Sequence, residues 1–374
     1  MTNNVKIIKV DIFTCKQPLK IPFTHASSGY IDHLDGVYVK LTTDEGLYGY
    51  GEVRGNCSYF TGDTTSAIIS VIAEELSKIF IGEDPLNLNR LHLLMESRIV
   101  GNYAAKAACD CALYDLIGKI LNLPVYQILG GKLHDTLESE ENIPFMTKKE
   151  AAKRAEMVIE QGCRFIKIRV GAKDFSYDYE RVSAVWDVIR NSGYENEITF
   201  SIDANQAWSV RDAIYRINKL SELGVTIVEQ PIHYNSPLRL KELKDNCPVK
   251  LFGDESVATV EDFVRYIELG AVDGIHIKLI KCGGIYNAVQ LMHLAKAHEI
   301  EFMIGGMDEG MMAVAAAVQC AAVADTNLFE VHGHVRILED PTSGLQTNGS
   351  IVYVPEGAGL GVTIDENRLL KVYG

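Results

Sequence analysis

From about residue 137 onward the chain repeats one pattern eight times: a short apolar run followed by an amphipathic segment of helix length. The runs occupy residues 137–143, 164–170, 198–203, 225–230, 249–254, 274–279, 301–306 and 328–333. Runs this short, separated by helices, predict parallel strands joined by crossovers, and eight of them close as a (β/α)8 barrel or as a variant with one helix degraded. The spacing supports this, since Asp203, Glu229, Asp254 and Lys278 follow one another at 26, 25 and 24 residues. Helix starts are also written in. Thr147-Lys-Lys-Glu150 is a capping box, and Ser209 and Thr259 are further N-caps. A doubly wound open sheet would need a glycine fingerprint. Gly49-Tyr-Gly51-Glu-Val-Arg-Gly55 has the wrong spacing for one and follows no βαβ unit.

The front of the chain has a different texture. Residues 5–60 alternate as strands do, and residues 64–79 and 103–121 have helical periodicity, which predicts an α+β module ahead of the barrel. The formal net charge of −14 makes nucleic acid and anionic membranes poor partners, because both require a basic surface. The polar N-terminus lacks a signal-peptide pattern, and the most apolar stretch, 311–324, is too short to span a bilayer, so a cytoplasmic location is expected. The 8 cysteines are scattered and form no framework. Cys109-Asp-Cys111 is the one pair to test for zinc or redox chemistry, but within a helix its two sulfurs point to different faces.

In a parallel barrel the chemistry lies at the C-terminal mouth, so the strand ends carry the argument. Strand two ends Lys167-Ile-Arg169, strand three Asp203-Ala-Asn205, strand four Glu229-Gln-Pro231, strand five Asp254-Glu255-Ser256 and strand six Lys278. Three successive strands deliver carboxylates, and the strands flanking them deliver cations. Asp203, Glu229 and Asp254 form a set of hard oxygen ligands that suits Mg2+, with Mn2+ as a substitute, rather than zinc. Asn205 and Glu255, close behind on the same strands, are expected to support those ligands. Lys278 shares a face with His276. Beside a divalent metal, a desolvated lysine has its pKa lowered and becomes a general base for a proton next to a carboxylate.

Those strand ends, with residues 102–119, Leu129-Gly-Gly-Lys132, Ile277-Lys-Leu-Ile-Lys-Cys-Gly-Gly284 and Gly359-Leu-Gly-Val362, make the chain resemble the muconate lactonizing enzyme subgroup of the enolase superfamily. The resemblance implies an α/β fold, a (β/α)7β barrel under an N-terminal α+β cap. The expected limits are 1–125 for the cap, 126–345 for the barrel and 346–374 for a C-terminal segment returning to the cap. It also implies metal ligands at Asp203, Glu229 and Asp254, a catalytic Lys278, a small-molecule carboxylate substrate and a homo-oligomer. Specificity would lie in two cap loops, 22–29 with His25 and 54–62 with Tyr59, with Glu309 contacting the substrate.

Two departures shape the expected reaction. The subgroup usually carries Lys-x-Lys on strand two, where this chain has Lys167-Ile-Arg169, and an arginine is a poor proton acceptor but a good electrostatic clamp. Strand eight has Glu330-Val-His332 where dipeptide epimerases have Asp-x-Asp. A reaction with one base, Lys278, is therefore expected, either β-elimination of water or a one-sided isomerisation, with Arg169 as the clamp. The alternatives are a two-base racemase or epimerase of an amino-acid derivative, in which Lys167 reaches the substrate, and an inactive barrel that only binds. His332 and Glu330 are expected as substrate contacts. Strand seven has no histidine for the dyad of the mandelate racemase branch.

Overall fold

A computed structural model describes residues 5–25 and 29–374, leaving aside the side chains of residues 23–25. The front module is an antiparallel sheet of β1 (Ile7–His25), β2 (Gly29–Thr43) and β3 (Tyr48–Arg54), in which β2 lies between the other two. Its alternating pattern buries one face against helices, chiefly Tyr103–Leu121, whose side chains are buried from Ala104 to Gly118. That helix is apolar all round because the sheet covers one side and the barrel the other. Gly49 and Gly51 on β3 allow this packing. A Cβ on Gly51 would collide with the Ala108 carbonyl, and one on Gly49 with the backbone at Ala112 and Leu116. The glycine pair therefore serves close strand-on-helix approach. Cys109 faces the core of the front module and Cys111 the core of the barrel, and neither is in a disulfide.

The barrel strands after β4 (Thr136–Glu138) are β5 (Glu141–Ile143), β6 (Phe165–Arg169), β7 (Thr199–Asp203), β8 (Ile227–Glu229), β9 (Lys250–Gly253), β10 (Gly274–Lys278), β11 (Glu301–Gly305) and β12 (Phe329–Glu330). They pair in chain order, and every pair is parallel. The ring closes where Ser139 bridges Phe329, with Glu140 N donating to Phe329 O at 2.6 Å and Val331 N to Ser139 Oγ at 3.0 Å. A crossover helix joins each successive pair of strands, and after β12 the 3-10 turn Gly333–Arg336 stands where an eighth helix would, so the ring is (β/α)7β. The capping box at Thr147 forms, with Thr147 N donating to Glu150 Oε2 at 2.9 Å, and Ser209 and Thr259 cap their helices.

Two expected strands change. The run 137–143 breaks at Ser139–Glu140, where the chain swaps partners: β4 pairs with Ile351–Tyr353 and only β5 enters the barrel. The run 328–333 keeps two strand residues, so His332 stands beyond the strand. Beyond its strand with β4, the tail runs back over the front module from about residue 359. Leu360 N donates to Asp115 Oδ1 at 2.9 Å, and Leu370–Tyr373 adds an antiparallel strand to β1. Among the described residues no helix is long and apolar enough to cross a membrane.

Candidate active site at the barrel mouth

The barrel register sets Arg169 beside Asp203 and Asp203 beside Glu229, while Asp254 begins just past the end of β9. Each carboxylate is buried and meets a cation. Arg169 pairs with Asp203 and also donates to Asn205 Oδ1 at 2.7 Å. Lys167 Nζ lies 2.9 Å from Glu229 and Lys278 Nζ 2.7 Å from Asp254. Burial works to raise the Asp254 carboxyl, but Lys278 and Lys281 overcome it and hold the group at about 2. Glu229 is likewise kept well below the usual carboxylate range by Lys167 and His276, against burial. Asp203 goes the other way: burial, against the pull of Arg169, pushes it up to about 6.

Lys278 is buried on every side, with the Phe60 ring of the cap 4.9 Å from its Nζ. Burial works to lower its pKa, yet Asp254, Glu330 and Glu229 together hold it above the ordinary lysine value. Lys167 is 0% exposed and enclosed by Glu140 at 2.7 Å, Glu229 at 2.9 Å and Glu330 at 3.2 Å. It therefore balances charge inside the barrel beneath the mouth. Glu330 spends its carboxylate on Lys167 and lies 3.5 Å from His276.

The remaining expected residues are spread along the rim. Glu309 is buried in the loop after β11, accepts from Met307 N at 3.3 Å, and is pushed up to about 7 by burial. Tyr59 lies in the short cap helix Ser58–Thr61, under the Arg54 guanidinium. His332 turns its Nδ1 toward Glu141 at 3.4 Å. Glu255 accepts from Gln206 Nε2 at 3.0 Å, and burial raises it to about 8. The backbone of His25 ends β1, but its side chain lies outside the described residues.

Several participants were not predicted. Lys281 grips Asp254 at 2.7 Å, one helical turn beyond Lys278. His276 Nδ1 donates to Glu229 Oε1 at 2.7 Å, and its Nε2 has no hydrogen-bond partner among the described residues. Gln230 clamps β8 to the next strand end: its Oε1 accepts from Asp254 N and Ser256 N, each at 3.0 Å, and its Nε2 donates to Ser256 Oγ and Ile232 O, each at 2.8 Å. Asn205, Gln206 and Gln230 all have left-handed backbone, φ 42, 67 and 36, so uncommon conformations collect where β7 and β8 end.

The groups that offer metal-ligand atoms within 4.8 Å of one another are Glu229, Asp254 and His276. Asp203, expected among the ligands, is not in that cluster, because Arg169 and Asn205 hold its oxygens. The donor chemistry still suits a hard cation. Three buried acids, each paired with a basic side chain, stand at adjacent strand ends, so the donors are carboxylate oxygens beside the single imidazole of His276.

A capped parallel barrel with acids and bases gathered at one mouth is the class that this fold and site define. The chain belongs to the mandelate racemase/muconate lactonizing enzyme family of the enolase superfamily. Residues 7–130 match the "Mandelate racemase / muconate lactonizing enzyme, N-terminal domain" and residues 150–368 the "Enolase C-terminal domain-like" family. An N-succinyl-L-Arg/Lys racemase of Bacillus cereus is 30% identical over 370 residues, covering 98% of each chain. An L-Ala-D/L-Glu epimerase of Clostridium acetobutylicum is 35% identical, covering 92% of this chain and 95% of the relative. Among solved structures, a dipeptide epimerase from Enterococcus faecalis, complexed with Mg and the dipeptide L-Leu-L-Tyr, superposes with a TM-score of 0.89 at 31% identity, covering 96% of this chain and 99% of that one. These relatives are isomerases, and this chain is an enzyme of their superfamily.

Proposed function

We propose that the protein is a Mg2+-dependent isomerase that moves the α-proton of an amino-acid-derived carboxylate, a racemase or epimerase of N-acylated amino acids or dipeptides. The observation that carries this reading is the pairing of Lys278 with Asp254 at 2.7 Å, beside Glu229 and under the cap. The names of the relatives support it over the elimination of water. Glu229 and Asp254 would hold the cation, with Asp203 as the third ligand through an oxygen given up by Arg169, and the cation would supply a positive charge for the carboxylate oxygens as the α-proton leaves. At rest Asp254, Glu330 and Glu229 keep Lys278 charged against burial, and a cation that drew off the Asp254 and Glu229 charge would leave its buried Nζ able to accept the proton. Phe60 keeps water from that nitrogen. Arg169 stays charged and steadies the developing negative charge from the side of Asp203; the proton that completes inversion would reach the face away from Lys278 from water, while Lys278 would release to solvent the proton it took.

Arg169 also favours a second reading, β-elimination with the same base. Incubation with Mg2+ and a panel of N-acyl amino acids and dipeptides in D2O separates the two. Deuterium at the α-carbon with both stereoisomers present supports the isomerase, whereas a 2-keto product with loss of water overturns it. Lys278→Ala should reduce exchange by about 10²- to 10⁴-fold, the usual contribution of a general base.

A further inference from the structure

Beneath the strand-end acids stands an imidazole that the proton transfer does not use. His276 lies on β10, two residues before Lys278 and on the same face, and is 0% exposed. Its ring is fixed on two sides. Nδ1 donates to Glu229 Oε1 at 2.7 Å, and Nε2 lies against Gly305 of β11, where a Cβ would collide with it. That Nε2 has no hydrogen-bond partner among the described residues, and neither has Glu330 Oε2, which faces it at 3.5 Å. With the proton on Nδ1, an acceptor nitrogen is turned toward an acceptor oxygen in a closed interior, and both are left unsatisfied at a cost. Lys167 Nζ, 3.2 Å from Glu330 Oε2, offsets the charge of that carboxylate and does nothing for the imidazole.

Moving one proton resolves the conflict. With the hydrogen on Nε2 instead of Nδ1 the ring stays neutral, Nε2 donates to Glu330, and the lone pair of Nδ1 is turned to Glu229. Two acceptors 2.7 Å apart repel each other unless a cation binds both, so this tautomer calls for one. The ligand atoms are in place, since Glu229, Asp254 and His276 offer theirs within 4.8 Å of one another. A metal-bound histidine usually gives its other ring N–H to a carboxylate, and Glu330 is in position to receive it.

We propose that His276 is a ligand of the divalent cation through Nδ1, and that one nitrogen among the carboxylate oxygens makes the site prefer Mn2+ to Mg2+. This rests on the reading above, in which a cation is held at the barrel mouth. Mg2+ favours hard oxygen ligands, whereas an imidazole adds affinity for first-row transition ions.

Two measurements on the intact chain test it, and neither needs a substrate. Pulsed electron paramagnetic resonance of the Mn2+-loaded protein should show coupling to an imidazole nitrogen. His276→Asn, which keeps a side-chain N–H for Glu229, should abolish that coupling. Calorimetric titration should find Mn2+ bound more tightly than Mg2+, and the same substitution should cut this preference by at least about tenfold, the scale on which metal sites respond to losing a conserved contact. Absence of nitrogen coupling in the parent protein overturns the proposal whether or not the variant folds. Coupling or a preference that His276→Asn leaves unchanged overturns it too, and makes His276 only a hydrogen-bond donor to Glu229. Binding of either ion without nitrogen coupling leaves the isomerase reading in place, whereas a protein that binds neither ion sinks that reading as well.

Discussion

Arg169 is the residue on which the reaction turns. Its guanidinium holds Asp203 and Asn205, and it stays protonated because Asp203 and Glu330 hold its pKa above the ordinary arginine value against desolvation. Proton transfer should therefore be lopsided. The stereoisomer whose α-hydrogen faces Lys278 should exchange with D2O faster than it inverts, and the opposite isomer should exchange slowly. Arg169→Lys supplies a second group able to accept a proton and should raise exchange of the slow isomer by at least about tenfold, on the scale of general base catalysis. Proton NMR of each pure stereoisomer reads the two rates, and equal rates in the parent protein would refute the one-base picture. At this scale the sequence was informative about identity and silent about partners. The strand-end acids and Lys278 were legible because spacing alone puts them at one mouth. The enclosure of Lys167 by Glu140, Glu229 and Glu330 was not, because Glu140 stands on the break between two strands and Glu330 on a strand far away in sequence.

At the scale of elements, the crossover pattern predicted the barrel because each parallel connection demands a helix, and period and caps announce both. What failed were the ends of the ring. Residues 137–143 form one apolar run in sequence, yet the run serves two sheets, a choice made by the tail strand Ile351–Tyr353, which no local pattern reveals. The same limit hid Gln230. Beside Glu229 it reads as a turn residue, but its side chain joins the ends of β8 and β9 through four hydrogen bonds and fixes the backbone of Asp254. Gln230→Ala should loosen Asp254 without removing any acid. Mg2+ affinity should fall by about 10- to 100-fold, as for partners that orient metal ligands, while far-ultraviolet circular dichroism stays unchanged. Calorimetric titration with Mg2+ checks this directly, and an unaltered affinity would show that the clamp serves stability alone.

Over the whole molecule, the site exists only where the cap and the barrel meet, so what fixes that meeting governs both stability and function. Glu52 of β3 is buried against the barrel helix Met311–Ala321, where its carboxylate accepts from Ala313 N at 3.2 Å and from Gln17 Nε2 at 3.0 Å. Asp340 accepts from Met311 N at 2.7 Å on the same first turn. Both acids satisfy donors at that helix start, but two charges cannot be held there cheaply. Burial first, and Asp340 second, push the Glu52 carboxyl up to about 8 from the usual 4.5, so the folded protein binds its proton more tightly than the unfolded chain does. The sign follows from linkage: the stabilisation is complete below about pH 4.5 and is lost as pH rises through about 8. Between pH 6 and pH 9 the melting temperature should therefore fall. Glu52→Gln keeps the shape and the hydrogen-bonding reach of the group but cannot ionise, so its melting temperature should decline less over that interval and exceed that of the parent at the alkaline end. Scanning calorimetry at fixed ionic strength makes the comparison. Parallel curves for the two proteins would mean that Glu52 is already ionised at the seam and that the helix start, rather than a bound proton, carries its charge.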